Sequence, residues 1–388
     1  MTSIARSSGM QRPQIASETP HPSSGSYAGG VTREHRVDDI ASQAQLSPAT
    51  VDRVLHGRPG VSPRAVRAVE QAVLDLDRQQ CQLRLGARTL VLDVVMQAPH
   101  RFSSAYRQAL EAQLGSARPA ALRARFRFGE HADVDDAVAA LNRVGTRGRT
   151  AHGVLLKAPD EPPVADAVRR LTGRGIPVVT LVTDIHDSGR IAYVGLDNRS
   201  AGATAAYLLA SWLGERPGDV LVTLSRSTFL GETERYQAFR DQLLALAPRR
   251  HIVAITETEG LDATLRTLVE KELRAHPSVV GTYSIGGGNR AIVEAFTTLG
   301  RARVVHLAHD LDQDNLELLH THTLTAVLHH DLHADARNAI RQILRYHGLL
   351  PGAPTSTPAN VQVVTPFNIP GRLARRDGQR SSTTMSRA

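Results

Sequence analysis

The chain has 388 residues, 41% hydrophobic and 22% charged, with one cysteine and a net charge of +8, a length that suggests two or three domains at roughly 100–200 residues each. No apolar run approaches the ~18 residues of a membrane span, and the Ser/Gly/Pro-rich start lacks the apolar core of a secretory signal. Lone Cys81 excludes a disulfide framework and a Cys-based zinc finger and fits a reducing cytoplasm, while 4% aromatic residues are too few for a single-strand stacking platform.

Residues 1–33 show no hydrophobic period and read as a disordered extension. Residues 371–388 read as a basic disordered tail. Lys and Arg outnumber Asp and Glu by 11 to 8 in residues 1–88 and by 5 to 1 in 371–388, so the body between is nearly neutral. Basic ends can contact phosphates or simply stay solvated.

Residues 34–77 hold three short helices. Val37, Ile40, Ala41 and Ala44 share one face. Ser47 is placed as an N-cap with Pro48 at the first helical position. Val51, Val54 and Leu55 form the apolar face of the second helix, which Gly57 and Pro59 end. Ser62 and Pro63 repeat the start signal, and Val66, Val69, Val73 and Leu76 continue a third helix. Two helices joined by Ala44-Gln45-Leu46, with a third behind them, have the layout of a helix-turn-helix domain. Residues 78–88 read as a hinge or linker.

From 89 to 370 an apolar strand and a helix alternate. Strands are expected at 89–96, 122–128, 153–156, 177–182, 191–194, 219–224, 250–256, 279–285, 304–308 and 325–329. Helices are expected at 103–114, 134–144, 164–173, 199–213, 232–246, 262–275, 289–299, 313–320 and 332–347. Such alternation means parallel sheets covered by helices. Ten strands suit two doubly wound lobes better than one sheet. Lobe 1 is expected at about 89–196 and 312–328, lobe 2 at about 199–310 and 331–370. Trp212 and Tyr283 lie in periodic apolar segments and read as core. Ligands of open parallel sheets sit beyond the carboxyl ends of the strands, so polar residues just after strands are the site candidates.

The stretch from Val37 to Pro63, with Leu46-Ser47-Pro48, Thr50-Val51-Asp52-Arg53-Val54-Leu55 and Gly60-Val61-Ser62, resembles the head of lactose-repressor (LacI/GalR) family regulators. Val178–Asp184, Ala192–Asn198 and Gly286–Asn289 resemble the same family's sugar-sensing core, which is like a periplasmic sugar-binding protein. Together these cover about 36–370. The family's turn glycine is Gln45 here, its recognition-helix serine is Asp52 and its asparagine is His56. The hinge segment departs further: the family's Tyr-Arg-Pro-Asn reads Arg78-Gln-Gln-Cys81, and Leu83 is kept beside Arg84 rather than a small residue.

A recognition helix lies in the major groove, where base edges carry a full donor/acceptor code. Its early residues are Ser47, Pro48, Ala49, Thr50 and Arg53. Pro48 and Ala49 offer apolar contacts, and Arg53 can pair bidentately with guanine, worth roughly 1–3 kcal/mol of discrimination. Asp52 either accepts from a cytosine amine or orients Arg53. His56 and Arg58 complete the expected DNA face, with Arg64 and Arg67 as further phosphate contacts or plain surface charges. The resemblance implies that Leu83 wedges into the minor groove from a pair of hinge helices. It therefore implies a homodimer on a two-fold symmetric operator, with a tetramer left open.

A sugar site needs carboxylates, amides and Arg for the hydroxyls and an apolar face to stack on. Strand-end positions offer Phe102 for stacking, with Asp184 and Asn289 as polar contacts. The resemblance implies ligand roles for Arg235 and Asp310, and His330 stands near the place where the family often has a Gln. No cofactor, metal site or membrane partner is expected. Two other readings stay open. One is a soluble sugar-binding protein with a vestigial DNA head. The other is a dinucleotide-binding enzyme, because Gly286, Gly288 and Ala291 are spaced as a nucleotide fingerprint, with Asp310 about 20 residues on.

Overall fold

The computed structural model describes residues 35–83, 89–115, 118–131, 133–301 and 304–371. Two compact units divide between Asp77 and Arg78.

The first unit holds α1 (Val37–Ala44), α2 (Pro48–Leu55) and the greater part of α3 (Pro63–Leu83). Ile40, Ala41, Val51, Val69 and Ala72 form its buried core, drawing on each of the three apolar faces. Asp38 and Asp39 complement the dipole in the first turn of α1. Gln45 closes α1 in the left-handed region (φ 54, ψ 42), its N–H bonded to the carbonyls of Ala41 and Ser42. The Ser47 hydroxyl caps α2 by accepting the Thr50 N–H at 3.2 Å, and Ser62 caps α3 through Ala65 at 3.2 Å. The third helix runs past the expected end of this unit. Residues 78–83, expected as linker, are helical, because nothing between Arg64 and Leu83 is Gly or Pro and Leu, Arg and Gln favour the helix. Residues 84–88 and the side chain of Leu83 lie outside the described residues, as do the extension 1–33 and the tail beyond 371.

In the second unit, lobe 1 begins with β1 (Thr89–Gln97), α4 (His100–Leu114), β2 (Ala121–Gly129), α5 (Val134–Asn142), β3 (Gly153–Lys157), α6 (Pro162–Gly173), β4 (Val178–Leu181) and β5 (Ala192–Val194). Its parallel sheet has the order β2-β1-β3-β4-β5, with Val94 opposite both Phe126 and Leu155. Lobe 2 follows with α7 (Asn198–Leu213), β6 (Asp219–Thr223), α8 (Leu230–Leu246), β7 (Ile252–Ile255), α9 (Asp262–Ala275), β8 (Val279–Ser284), α10 (Asn289–Thr298), β9 (Val305–His309), α11 (Gln313–His320) and β10 (Ala326–His329). The chain ends with α12 (Leu332–Tyr346) and β11 (Gln362–Val364). The second sheet has the order β11-β10-β9-β8-β6-β7, with β11 antiparallel to β10.

The last third of the chain departs from the expected lobe boundaries. Segment 312–328 was expected in lobe 1, but β10 pairs with β9 in the lobe 2 sheet. Segment 331–370 was expected in lobe 2, yet α12 packs into the lobe 1 core through Ala336, Ala339, Ile340, Ile343 and Leu344. Only β11 then returns to lobe 2. The chain thus crosses between lobes three times, at 195–197, 330–331 and 347–361. The first and third crossings are pinned together where Ala359 bonds the Gly195 carbonyl at 2.8 Å and the Asp197 N–H at 3.0 Å. Tyr283 is fully buried as expected, but Trp212 is 41% exposed on α7.

Candidate functional site

The carboxyl ends of both sheets face one another across a cleft of about 620 Å³, open solvent at its mouth included. Phe102, Arg235 and Asp310, expected from the sequence, all line it. Phe102 comes from the start of α4, Arg235 from the second turn of α8 and Asp310 from the residue after β9.

The position of Arg235 is set by the contact of α7 with α8. At Gly202 on α7 an added Cβ would stand 2.1 Å from the Arg235 carbonyl oxygen, so the two backbones meet where only glycine fits. Arg235 Nε is spent on Asn198 Oδ1 at 2.9 Å. Its terminal nitrogens have no hydrogen-bond partner among the described residues and are available to a ligand.

Asp310 turns the chain with φ 65, a conformation costly for a residue with a side chain and common at functional positions. Its Oδ1 is buried without a hydrogen-bond partner, although His330 Nε2 stands 3.3 Å away. The distance suits an ion pair, but the hydrogen-bond geometry is not met. Burial alone would raise the Asp310 carboxyl. The charges of His330 and Arg235 outweigh burial and hold it well below the usual carboxylate range.

Several lining residues escaped sequence reasoning. Lys157 ends the apolar strand β3, and its Nζ donates to the Gln97 carbonyl at 2.9 Å and lies 3.6 Å from the Phe229 ring centre. Burial lowers its ammonium to about 8, with Glu232 and Asp310 pulling the other way. Glu232 is held by the Ser225 N–H at 2.7 Å and hydroxyl at 2.5 Å. His309 offers an unpartnered buried Nδ1 while its Nε2 meets the Tyr283 hydroxyl at 2.7 Å. Arg101 crosses the cleft from α4. Its Nη2 donates to the Gly260 carbonyl at 2.7 Å and its Nε stands 3.2 Å from Asp312 Oδ2. Gly287 makes room for it: an added Cβ there would stand 2.4 Å from Arg101 Nη2. The detectable signal was a charged residue closing an apolar strand, as in Lys157. Arg101 gave none, since an arginine near a helix start reads as surface.

Three expected ligand residues are placed elsewhere. Asp184 is consumed locally by a two-point pair with Arg190, the Thr180 hydroxyl at 2.6 Å and the Ile185 N–H at 2.9 Å. Burial would raise its carboxyl, but these partners bring it down. Asn289 sits inside lobe 2, donating to Asn315 Oδ1 at 2.9 Å and meeting His306 Nε2 at 3.1 Å. Burial lowers the His306 imidazole to about 3, so it is neutral. His330 stands behind the cleft, bonded to Asp335 at 2.5 Å.

In the first unit, Ser47, Pro48, Ala49, Arg53, His56 and Arg58 are exposed on and beside α2, with Thr50 and Asp52 half-buried. Asp52 does not orient Arg53. Its carboxylate meets His56 Nδ1 at 2.9 Å and Arg58 Nη1 at 3.2 Å, since the helix end folds both back onto it.

The model of the periplasmic binding protein domain matches residues 94–348. An uncharacterized HTH-type transcriptional regulator in the aml 5′ region of Streptomyces limosus is 33% identical over 263 residues, 66% of either chain. The HTH-type transcriptional regulator reg1 of Streptomyces lividans is 28% identical over 66% of this chain and 67% of its own. The chain thus spans about two thirds of the length of the curated relatives it matches. Among solved structures, a glucose-galactose binding protein of Geobacillus stearothermophilus superposes with a TM-score of 0.62 at 19% identity, over 73% of this chain and 99% of that one. A solute-binding protein of Burkholderia graminis in complex with D-arabinose gives 0.65 at 20% identity, over 73% and 97%. At these identities the likeness is one of fold. The chain belongs to the periplasmic binding protein domain family, and its likeness to regulators named HTH-type is consistent with the lactose-repressor resemblance of its sequence.

Proposed function

We propose that the chain is a cytoplasmic, sequence-specific DNA-binding repressor whose operator affinity is set by a small neutral sugar or polyol held between the lobes. The observation that carries the reading is the convergence of Arg235 and Asp310 on one cleft, each with unspent hydrogen-bonding atoms, beside the ring of Phe102. A carboxylate accepts from two adjacent hydroxyls while a guanidinium donates to the same oxygens. The lining cations Arg101, Lys157 and Arg235 are matched by Glu232, Asp310 and Asp312, so the cleft suits a neutral ligand better than a phosphorylated one. No lining residue is called on for covalent chemistry, and the reading is not that of an enzyme. Sugar-binding proteins with this fold, and regulators named for a helix-turn-helix, support the two halves of the proposal.

In the first unit, the capped α2 with its exposed Arg53 would enter the major groove, and two copies would read a two-fold symmetric site. Sugar binding would favour one angle between the lobes. A coupling of roughly 1–3 kcal/mol would change operator occupancy 5–150-fold. The carboxylate of Asp52 on α2 favours the second reading, a sugar-binding protein with a weak DNA head, because it sets a negative charge among the cations that would face the phosphates.

Selection of bound duplexes from a random library at near-physiological salt separates the two. Enrichment of a symmetric site supports the regulator. Sugar binding with no enrichment supports the second reading. Asp310→Asn should abolish the response to the sugar, read as the loss of any change in operator affinity when the sugar is added.

A further inference from the structure

The second crossing between the lobes carries a buried charge cluster. Asp310 closes β9 in lobe 2, His330 follows β10 in the crossing itself, and Asp335 lies in the first turn of α12, which belongs to lobe 1. His330 Nδ1 meets Asp335 Oδ2 at 2.5 Å, and its Nε2 stands 3.3 Å from Asp310 Oδ1. The side chain of His330 is 1% exposed and that of Asp335 8%. His309 from β9 and His329 from β10 face the same place, with Arg235 of α8 beyond Asp310. Tyr106 of α4 lies on the far side, near Asp335.

We propose that His330 is a positioning residue that bridges Asp310 of lobe 2 to Asp335 of lobe 1 and so couples the cleft carboxylate to the angle between the lobes. Two carboxylates buried on either side of one imidazole demand a cation between them. Burial would lower the imidazole, but Asp335 and Asp310 raise it to about 10. His329, by contrast, is lowered by burial to about 4, and burial and Arg235 push His309 well down, so neither supplies that charge. A ligand hydroxyl on the Asp310 carboxylate shares its negative charge with His330, and the other end of the bridge is α12. The proposal rests on the sugar-cleft reading only for what loads Asp310.

The bridge is tested without any ligand. In the full chain labelled with ¹⁵N-histidine, one imidazole should carry protons on both nitrogens at about pH 8. It should disappear in His330→Gln, and in Asp335→Asn its midpoint should fall by about one pH unit or more. Absence of a doubly protonated imidazole in the wild type overturns the bridge.

His330→Gln leaves two carboxylates unneutralised and can unfold the chain, so Asp335→Asn carries the second arm. Nitroxide labels at Asp166→Cys in lobe 1 and Lys271→Cys in lobe 2, with Cys81→Ser, report the separation of the lobes. Asp335→Asn should shift or broaden that ligand-free distance distribution by about 2 Å, within the range of small hinge motions. An unchanged distribution overturns the coupling. D-arabinose, D-glucose and myo-inositol are then added. If none moves the wild-type distance or binds, the sugar reading fails, while the ligand-free arms still decide the bridge.

Discussion

Arg101, near the start of α4, holds Asp312, the cap of α11, across the cleft, with Nε 3.2 Å from Oδ2. Asp312 also accepts the Asn315 N–H at 2.9 Å, so one carboxylate caps a helix and joins two lobes. Burial is the largest influence on it and raises it from 3.8 to about 6, with Arg101 pulling the other way. The folded chain therefore holds this proton more tightly than the unfolded chain between about pH 4 and 6. Stability contributed here is lost as pH rises through that window. Asp312→Asn keeps the cap, because Asn caps as well as Asp, and removes the ionisation. The variant should gain on the order of 3 kcal/mol over the wild type at pH 8, from the shift of about two pH units, and the difference should vanish near pH 4. Denaturant unfolding at the two pH values measures it. An equal difference at both would mean that Asp312 does not titrate in this window.

Gly202 should be among the least replaceable residues of lobe 2. Gly202→Ala drives a methyl into the Arg235 backbone at 2.1 Å, and overpacking of this kind costs about 1–3 kcal/mol. The same displacement moves the Arg235 guanidinium, so sugar affinity should fall more than stability does. Calorimetric titration set beside thermal melting separates the two effects.

Gln45 sits at φ 54 in the turn between α1 and α2. Gln45→Gly should relieve about 1 kcal/mol of left-handed strain. Amides of α1 should then exchange with solvent about five-fold more slowly. Faster or unchanged exchange would mean that the turn is unstrained.

Arg53 and Arg58 should behave differently on DNA. Arg53→Ala should cost about 1–3 kcal/mol and relax selectivity at one base pair. Arg58→Ala should weaken binding to all sequences alike and reduce the salt slope by about 1. Binding isotherms on a selected duplex and its single-base variants, at several salt concentrations, distinguish the two patterns.

The strands were legible because a parallel sheet covered on both faces needs unbroken apolar runs, and Val94–Met96, Val154–Leu156 and Val220–Val222 supply them. Helix starts were legible from Ser47-Pro48 and Ser62-Pro63, where hydroxyl and ring chemistry act locally. What is settled at long range was not legible. Neither the periodicity of α12 nor that of β10 says which lobe will receive it. The three residues of β11 are too few to show a period. Asp184 stands where a ligand residue should, yet Arg190 six residues on takes its carboxylate. Arg101 becomes a cleft residue only when Gly260, Gly287 and Asp312 arrive from the other lobe.

The late return of α12 has a consequence for synthesis. The last strand of lobe 1 ends at Val194, and the helix that seals its core starts at Leu332, roughly 140 residues later. At about 5–20 residues per second a ribosome takes about 7–30 s to bridge that gap. Until then Leu110, Leu155 and Leu181 lack their cover. The lobe begun first waits for a helix made after ten of the eleven described strands, and the nascent chain depends for that interval on whatever shields an open apolar face.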